Sequence, residues 1–295
     1  MKKNFLALFG HVAIDVTMNI DFFPTKGSVA VNSLRENYGG TAGNIALIGA
    51  KLGLPFHLFS AVGLKSHERY INFLKKIGAD TSHLYVDPED MGPIGYAASD
   101  GQDQIYYFFQ GPMNKPLEGR ITLDQEGYEW VHFGTGLPDD YLSMSRQFEG
   151  SKIVFDPGQE INYRYNKENL GKMLEISDLA ILNEGESAKA EELLGISSGK
   201  LPAYCKNLII TRGARGSTYL HEGDSYDFPA TLVEKPYDTI GAGDAFRAGF
   251  YFALWKDSSI EAAIKIGSLV SAEAIKRPFM DFDKTGEQIL KQFSQ

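Results

Sequence analysis

The feature that most constrains this chain is a repeated alternation of short apolar runs with segments of helical periodicity. Runs of strand length stand at Phe5 to Gly10, Phe56 to Val62, Trp130 to Phe133, Lys152 to Phe155, Leu179 to Leu182 and Leu208 to Thr211. Each stops at or beside Gly, Asn, Asp or Thr. Between them, Ala42 to Leu52, Glu68 to Ile77, Leu170 to Ile176 and Ser187 to Leu194 carry apolar residues at helical spacing. Continuously apolar strands divided by helices predict a mostly parallel sheet covered on both faces, an α/β three-layer sandwich of Rossmann type.

Two regions depart from this pattern. From Val12 to Arg35 and from Pro93 to Phe109, polar and apolar residues mix as in exposed antiparallel strands, and Ser99 to Gln104 supplies hairpin-turn chemistry. They pair either as a small β-sheet lid over one end of the main sheet or as a plain surface meander. The last third is helical, at Gly243 to Trp255, Ser259 to Lys276 and Lys284 to Phe293. With no repeat or linker, residues 1–295 read as one domain, with lid segments at about 12–35 and 93–110.

Charge and cysteine content narrow the partners. A formal net charge of −9 with no basic run argues against a nucleic-acid partner, which requires clustered Lys and Arg. The single Cys205 suits a reducing, cytoplasmic setting. The opening MKKNFLALFGHVAIDV offers two lysines before an apolar run, but Asp15 interrupts it and no cleavage site follows, so a buried first strand is the reading adopted. No apolar stretch approaches the roughly 20 residues that cross a bilayer, and no membrane association is expected.

The strongest chemical signal is DTIGAGDAFRAGF, residues 238–250. Gly241, Ala242 and Gly243 let backbone approach a ligand closely, and the unpaired N–H groups of a helix start, with the macrodipole, stabilise an anion there. Asp244 in the same turn is placed to take a proton from an attacking hydroxyl, or is simply a first-turn acid that favours the helix. GGTAGNIA at 39–46 sets Gly39 and Gly40 before Asn44, either for backbone approach to a polyol or for close packing. Asp15, after the first strand, is a pure acceptor suited to a diol, or an ordinary loop acid. NEGE at 183–186 and TRGARGS at 211–217 read locally as a helix cap and a glycine turn.

Taken together and in order, these elements resemble the ribokinase-like, or PfkB, family of sugar and nucleoside kinases, and the resemblance spans most of the chain. It implies a ribokinase-like fold and an ATP- and Mg²⁺-dependent transfer of phosphate to an alcohol. Asp244 matches the family's catalytic base, with Gly241, Ala242, Gly243 and Asp244 as its anion hole. Asp15, Gly39, Gly40 and Asn44 match substrate-binding positions. Asn183, Thr211, Gly213 and Gly216 match nucleotide-binding positions, and Glu186, with Asn183 through water, the Mg²⁺ position. A sparse set of carboxylates agrees with the hydration that Mg²⁺ keeps. The family often holds a monovalent cation partly through the position of Asp238. KRPFMDF at 276–282 departs from the small residues usual at the rest of that site, which leaves K⁺ use open.

Within the family, GHVAID, FDPGQE and GAGDAFRAGF look most like archaeal nucleoside kinases. The expected activity is therefore phosphorylation of a nucleoside 5′-hydroxyl, with a sugar kinase of ribokinase, fructokinase or ketodeoxygluconate kinase type as the alternative and a non-catalytic nucleotide sensor as a remoter one. Arg247 neutralises phosphate or forms a salt bridge, Asp156 approaches Mg²⁺ through water or shapes a turn, and IYYFFQG at 105–111 walls a base or fills a strand. Exposed edges of the small sheet would be covered in a homodimer.

Overall fold

The computed structural model describes residues 4–295. Lys2 and Lys3, weighed above as part of a leader, lie outside the described residues. Among the described residues thirteen strands form two sheets. In chain order they are β1 (Asn4–Phe9), β2 (Ala13–Ile20), β3 (Val31–Gly39), β4 (Phe56–Gly63), β5 (Leu84–Asp87), β6 (Ile94–Ser99), β7 (Gln104–Phe109), β8 (Tyr128–Phe133), β9 (Lys152–Phe155), β10 (Leu179–Asn183), β11 (Asn207–Thr211), β12 (Ser217–His221) and β13 (Asp224–Phe228). The helices are α1 (Thr41–Leu52), α2 (Leu64–Lys76), α3 (Pro138–Met144), α4 (Lys167–Ile176), α5 (Glu184–Leu194), α6 (Ala242–Trp255), α7 (Ile260–Ala274) and α8 (Gly286–Phe293).

The large sheet runs β13-β12-β11-β10-β9-β8-β1-β4-β5. From β11 to β5 every pair is parallel, and only β12 and β13 run antiparallel at one edge. Alternation along β1 divides its side chains between two apolar layers: Leu6 and Leu8 join α1, α6 and α7 on one face, whereas Ala7 and Phe9 join α3 and α4 on the other. Both faces are thus closed, as continuous apolar strands require. Just below the C-terminal edge, Phe59, Phe9, Phe133 and Phe155 lie in register across four strands, with the rings of Phe9 and Phe59 stacked at 4.5 Å. Beyond this aromatic layer β1, β8 and β9 end together, before Gly10, Gly134 and Asp156, while β4 continues to Gly63.

The two segments of mixed pattern pair with one another. They form a four-stranded sheet ordered β3-β2-β6-β7, and the hairpin between β6 and β7 closes at Ser99 opposite Gln104. One face of β2 and β6 buries Ile14, Val16 and Ile94; the other presents Asp15. The strand β3 extends to Gly39, four residues past Arg35, so the small sheet runs directly into the glycine pair before α1. Among the described residues no helix is long and apolar enough to cross a membrane.

Candidate active site

A cavity of about 500 Å³ lies between the C-terminal edge of the large sheet and the inner face of the small one. The helices α1 and α6 both begin at it, which brings Asn44 and Asp244 together from positions two hundred residues apart. The Nδ2 of Asn44 donates to Asp244 Oδ2 at 2.8 Å. Asp244 sits at the third position of α6, after Gly241, which adopts φ +77° as the N-cap. A side chain at Gly241 would meet the Phe279 ring at 2.6 Å, so the turn is shaped both by its left-handed backbone and by that ring. Burial pushes the Asp244 carboxyl up to about 7; the Arg247 guanidinium and the Asn44 amide oppose this, while the charges of Asp156 and Asp15 add to it.

The amides of Gly243 and Asp244, as first-turn groups, have no acceptor within the helix and face outward from its positive end. The Ala242 N–H, by contrast, donates to Thr239 O at 3.2 Å and closes the preceding turn.

Across the cavity stands Asp15, on β2. Its carboxyl is raised to about 6 by burial. The glycine pair explains how it fits. A Cβ on Gly39 would stand 1.9 Å from Asp15 Oδ2, and one on Gly40, whose φ is +81°, would stand 2.4 Å from His11 O. Gly39 therefore makes room for the carboxylate, and Gly40 for the backbone leaving β1. Tyr70 OH donates to Gly39 O at 2.9 Å and fixes that turn from behind.

Below Asp244 lies a buried ion pair. Arg247 grips Asp156 with both Nε and Nη2, the latter at 2.7 Å from Oδ1. Of the two roles open to Arg247, the salt bridge is what it forms; both oxygens of Asp156 are held in it. Gly243 lacks a side chain where a Cβ would lie 2.7 Å from Arg247 Nη1. At the next strand, Asn183 and Glu186 form a reciprocal cap of α5: Asn183 Oδ1 accepts from the Glu186 amide and Glu186 Oε2 from the Asn183 amide, each at 2.8 Å. Glu186 is buried and its carboxyl raised, first by desolvation and then by Asp156, with Arg247 opposing. The capping reading holds, and it aims a buried carboxylate toward the ion pair.

Thr211 ends β11 beside Asn183, its register partner on β10. In the following turn Gly213 has φ +57° and Gly216 φ +85°, and a Cβ on Gly216 would overlap Phe228 O at 2.0 Å. Asn183, Glu186, Thr211, Gly213 and Gly216 thus share the C-terminal edge with Asp244 but lie outside the cavity that joins Asp15, Gly40, Asn44, Gly241 and Asp244. The expected positions fall into two neighbouring groups.

Several cavity groups have no site role assigned from the sequence. His11 Nδ1 meets Thr135 Oγ1 at 2.7 Å, Thr135 Oγ1 meets Thr41 Oγ1 at 2.8 Å, and His11 Nε2 meets Gln110 Oε1 at 2.5 Å. Because Gln110 Oε1 can only accept, Nε2 carries the proton and Nδ1 accepts from Thr135. Burial lowers the His11 pKa and favours this neutral ring. Glu160, held by Arg164 Nε at 2.8 Å, accepts from Tyr163 OH at 3.2 Å. The rings of Tyr106, Phe108 and Tyr163 follow one another nearly parallel, at 6.1 and 6.5 Å. Glu160 and His11 stand in FDPGQE and GHVAID, and Tyr106, Phe108 and Gln110 in IYYFFQG, but of these only the aromatic stretch has a site role from the sequence, as a wall for a base.

Residues 3–280 match the sequence model of the pfkB family carbohydrate kinase. The nucleoside kinase of Thermoplasma acidophilum is 41% identical over 285 residues, which cover 97% of this chain and 94% of that protein. The crystal structure of Methanocaldococcus jannaschii nucleoside kinase, an archaeal member of the ribokinase family, superposes with a TM-score of 0.88 and 27% identity over 99% of each chain. Arabidopsis thaliana ribokinase complexed with ribose and ATP, at 17% identity and a TM-score of 0.85 over the whole of both chains, is similar in fold.

Proposed function

Because the chain belongs to the pfkB family of carbohydrate kinases, whose members transfer phosphate from ATP, we propose that it phosphorylates the 5′-hydroxyl of a nucleoside, with Asp244 as general base. The observation that carries this reading is the pairing of Asp244 with Asn44 at one end of a cavity whose other wall presents Asp15. A ribose spans such a cavity: Asp15 and Asn44 accept and donate to its vicinal hydroxyls while the 5′-hydroxyl faces Asp244. The parallel rings of Tyr106, Phe108 and Tyr163 offer flat apolar faces to a base, which a free sugar would leave uncovered. The high sequence identity to the Thermoplasma nucleoside kinase supports the same choice.

In the transfer, the hydroxyl attacks the terminal phosphorus, the bond to the leaving ADP oxygen breaks, and Asp244 takes the hydroxyl proton as the new bond forms. The amides of Gly243 and Asp244, with Gly241 at the turn, stabilise charge on the transferring oxygens. In our reading ATP lies along Asn183, Thr211, Gly213 and Gly216, whose turn brings backbone close to that edge. The donor set fits a hydrated Mg²⁺: Glu186 is a buried carboxylate with one oxygen used in capping, whereas Asp156 has both on Arg247, so Glu186, with Asn183 through water, is the group that would hold it. When bound, the ion neutralises triphosphate charge. Asp238 Oδ1 accepts the Ile240 amide at 2.9 Å and Phe279 packs on Gly241, so we expect turnover without a K⁺ requirement.

We further infer that residues 1–295 act as one domain in which the small sheet is a lid, closing Asp15 over the reactants and excluding water. The strand β7 is exposed along its length, including Tyr107 and Phe109, which favours a homodimer that covers this edge in a cytoplasmic protein. Sedimentation of the purified chain tests the dimer. A panel of nucleosides and free sugars, each assayed with ATP and Mg²⁺, tests the activity. Phosphorylation of sugars and of no nucleoside would favour the sugar-kinase alternative, and ATP binding without any turnover the sensor.

A further inference from the structure

At the opposite end of the large sheet, where the parallel strands begin, three connections bring two imidazoles and a carboxylate together. His57 is the second residue of β4, His83 immediately precedes β5, and Asp124 lies in the loop before β8. One ligand atom from each lies within 4.8 Å of the others. Asp124 Oδ2 is 2.6 Å from His57 Nδ1 and 3.6 Å from His83 Nε2, and the two rings stack at 4.6 Å. The side chains are only 24%, 12% and 29% exposed for His57, His83 and Asp124.

With a neutral ring, the hydrogens around His83 are in conflict. His83 Nδ1 lies 3.0 Å from Thr122 O, which can only accept, so Nδ1 carries a hydrogen. In the neutral ring Nε2 then bears a lone pair, and it faces a carboxylate oxygen. Acceptor meets acceptor, in a half-buried site where repulsion is weakly screened. The same Asp124 Oδ2 also receives Tyr128 OH at 2.8 Å and Asn4 Nδ2 at 3.2 Å. His57 turns its other nitrogen, Nε2, toward Asp80 Oδ2 at 3.7 Å.

A cation between His83 and Asp124 removes the conflict. We propose that His57 Nδ1, His83 Nε2 and Asp124 form a site for a borderline divalent transition metal such as Zn²⁺, with water as the fourth ligand. Two nitrogens and one oxygen suit such an ion and not Mg²⁺ or Ca²⁺, which prefer all-oxygen sets. Tetrahedral bonds to zinc set adjacent ligand atoms about 3.3 Å apart, so the His83 to Asp124 separation is already within a few tenths of an ångström. His57 would carry its single N–H on Nε2, leaving Nδ1 free to coordinate, and Nδ1 would move outward by about 0.7 Å. Thr122 O and Asp80 would then accept from the far nitrogens of the two rings and hold their orientation, as carbonyls and carboxylates do behind metal-bound histidines. The site lies roughly 20 Å from Asp244, one strand length away, and ties three connections at the base of the sheet. Its role is structural, separate from phosphate transfer.

The test is calorimetric titration of chelator-treated, full-length protein with zinc chloride in excess Mg²⁺, which occupies carboxylate-only sites. One equivalent is expected to bind and to raise the melting temperature. His83→Gln and His57→Gln should each weaken binding at least tenfold while leaving kinase turnover unchanged. Uptake undiminished in both variants, or no uptake by the wild type, overturns the proposal. If the variants fail to fold, the visible absorption of the cobalt-loaded wild type decides, a four-coordinate spectrum supporting the site and a six-coordinate one refuting it.

Discussion

Replacing Asn44 with Leu removes one donated hydrogen bond from the Asp244 carboxylate and little volume. Burial holds that carboxyl near 7, and the Asn44 amide is one of the two influences that keep it from rising further. A hydrogen bond to an ionised group contributes about 1.5–3 kcal/mol, and 1.36 kcal/mol corresponds to one pKa unit, so its loss raises the Asp244 pKa by about 1–2 units. The sign follows from the role of the group: a general base acts when ionised, so kcat/KM falls as pH drops through its pKa. With a loss of about 2 kcal/mol the ionised fraction at pH 7 drops from about one half to about 3%, a reduction of roughly 15-fold that is recovered near pH 10. The assay is kcat/KM for the nucleoside from pH 5.5 to 10 at saturating ATP, in both proteins. Asn44 is also expected to touch the substrate, which lowers kcat/KM by the same factor at every pH. An acidic limb that stays in place while the whole profile drops would refute the argument that Asn44 sets the ionisation of Asp244.

Other outcomes follow from the same geometry. Asp244→Asn should lower kcat by about 10²–10⁴-fold with nucleoside binding retained, measured by steady-state kinetics and calorimetry. Gly39→Ala puts a methyl group 1.9 Å from Asp15 Oδ2, so the KM for the acceptor should rise at least severalfold with the KM for ATP unchanged. Arg247→Met strands Asp156 as a buried unpaired carboxylate and should cost about 3–5 kcal/mol in denaturant unfolding, whereas a drop below 1 kcal/mol would mean that the pair is solvated.

The parallel core was legible because its strands are buried on both faces and read as unbroken apolar runs. The strands β5 and β13 were not: Leu84–Asp87 has four residues, and Asp224–Phe228 is exposed at all but its last, so neither carries a pattern beyond that of a loop. The helix α3 opens on a proline and spans two turns, too short for periodicity to register. At the site, Asp244, Asn44 and Asp15 could be named in advance, but the reason for Gly39 could not. It depends on which side chain crosses above it, a relation between β2 and β3 that no local window contains. Arg247 was left between two roles for the same reason, since Asp156 lies ninety-one residues upstream.

The position of β1 bears on how the chain can fold at all. The strand β1 is not an edge but lies between β4 and β8, with Leu6 opposite Phe56 on one side and Trp130 on the other. Its N–H and C=O edges must wait for both partners, so the central ladder closes only once β8 has joined it. Entropy of loop closure makes that step slow, and the apolar FLALF segment stays unpaired in the interval.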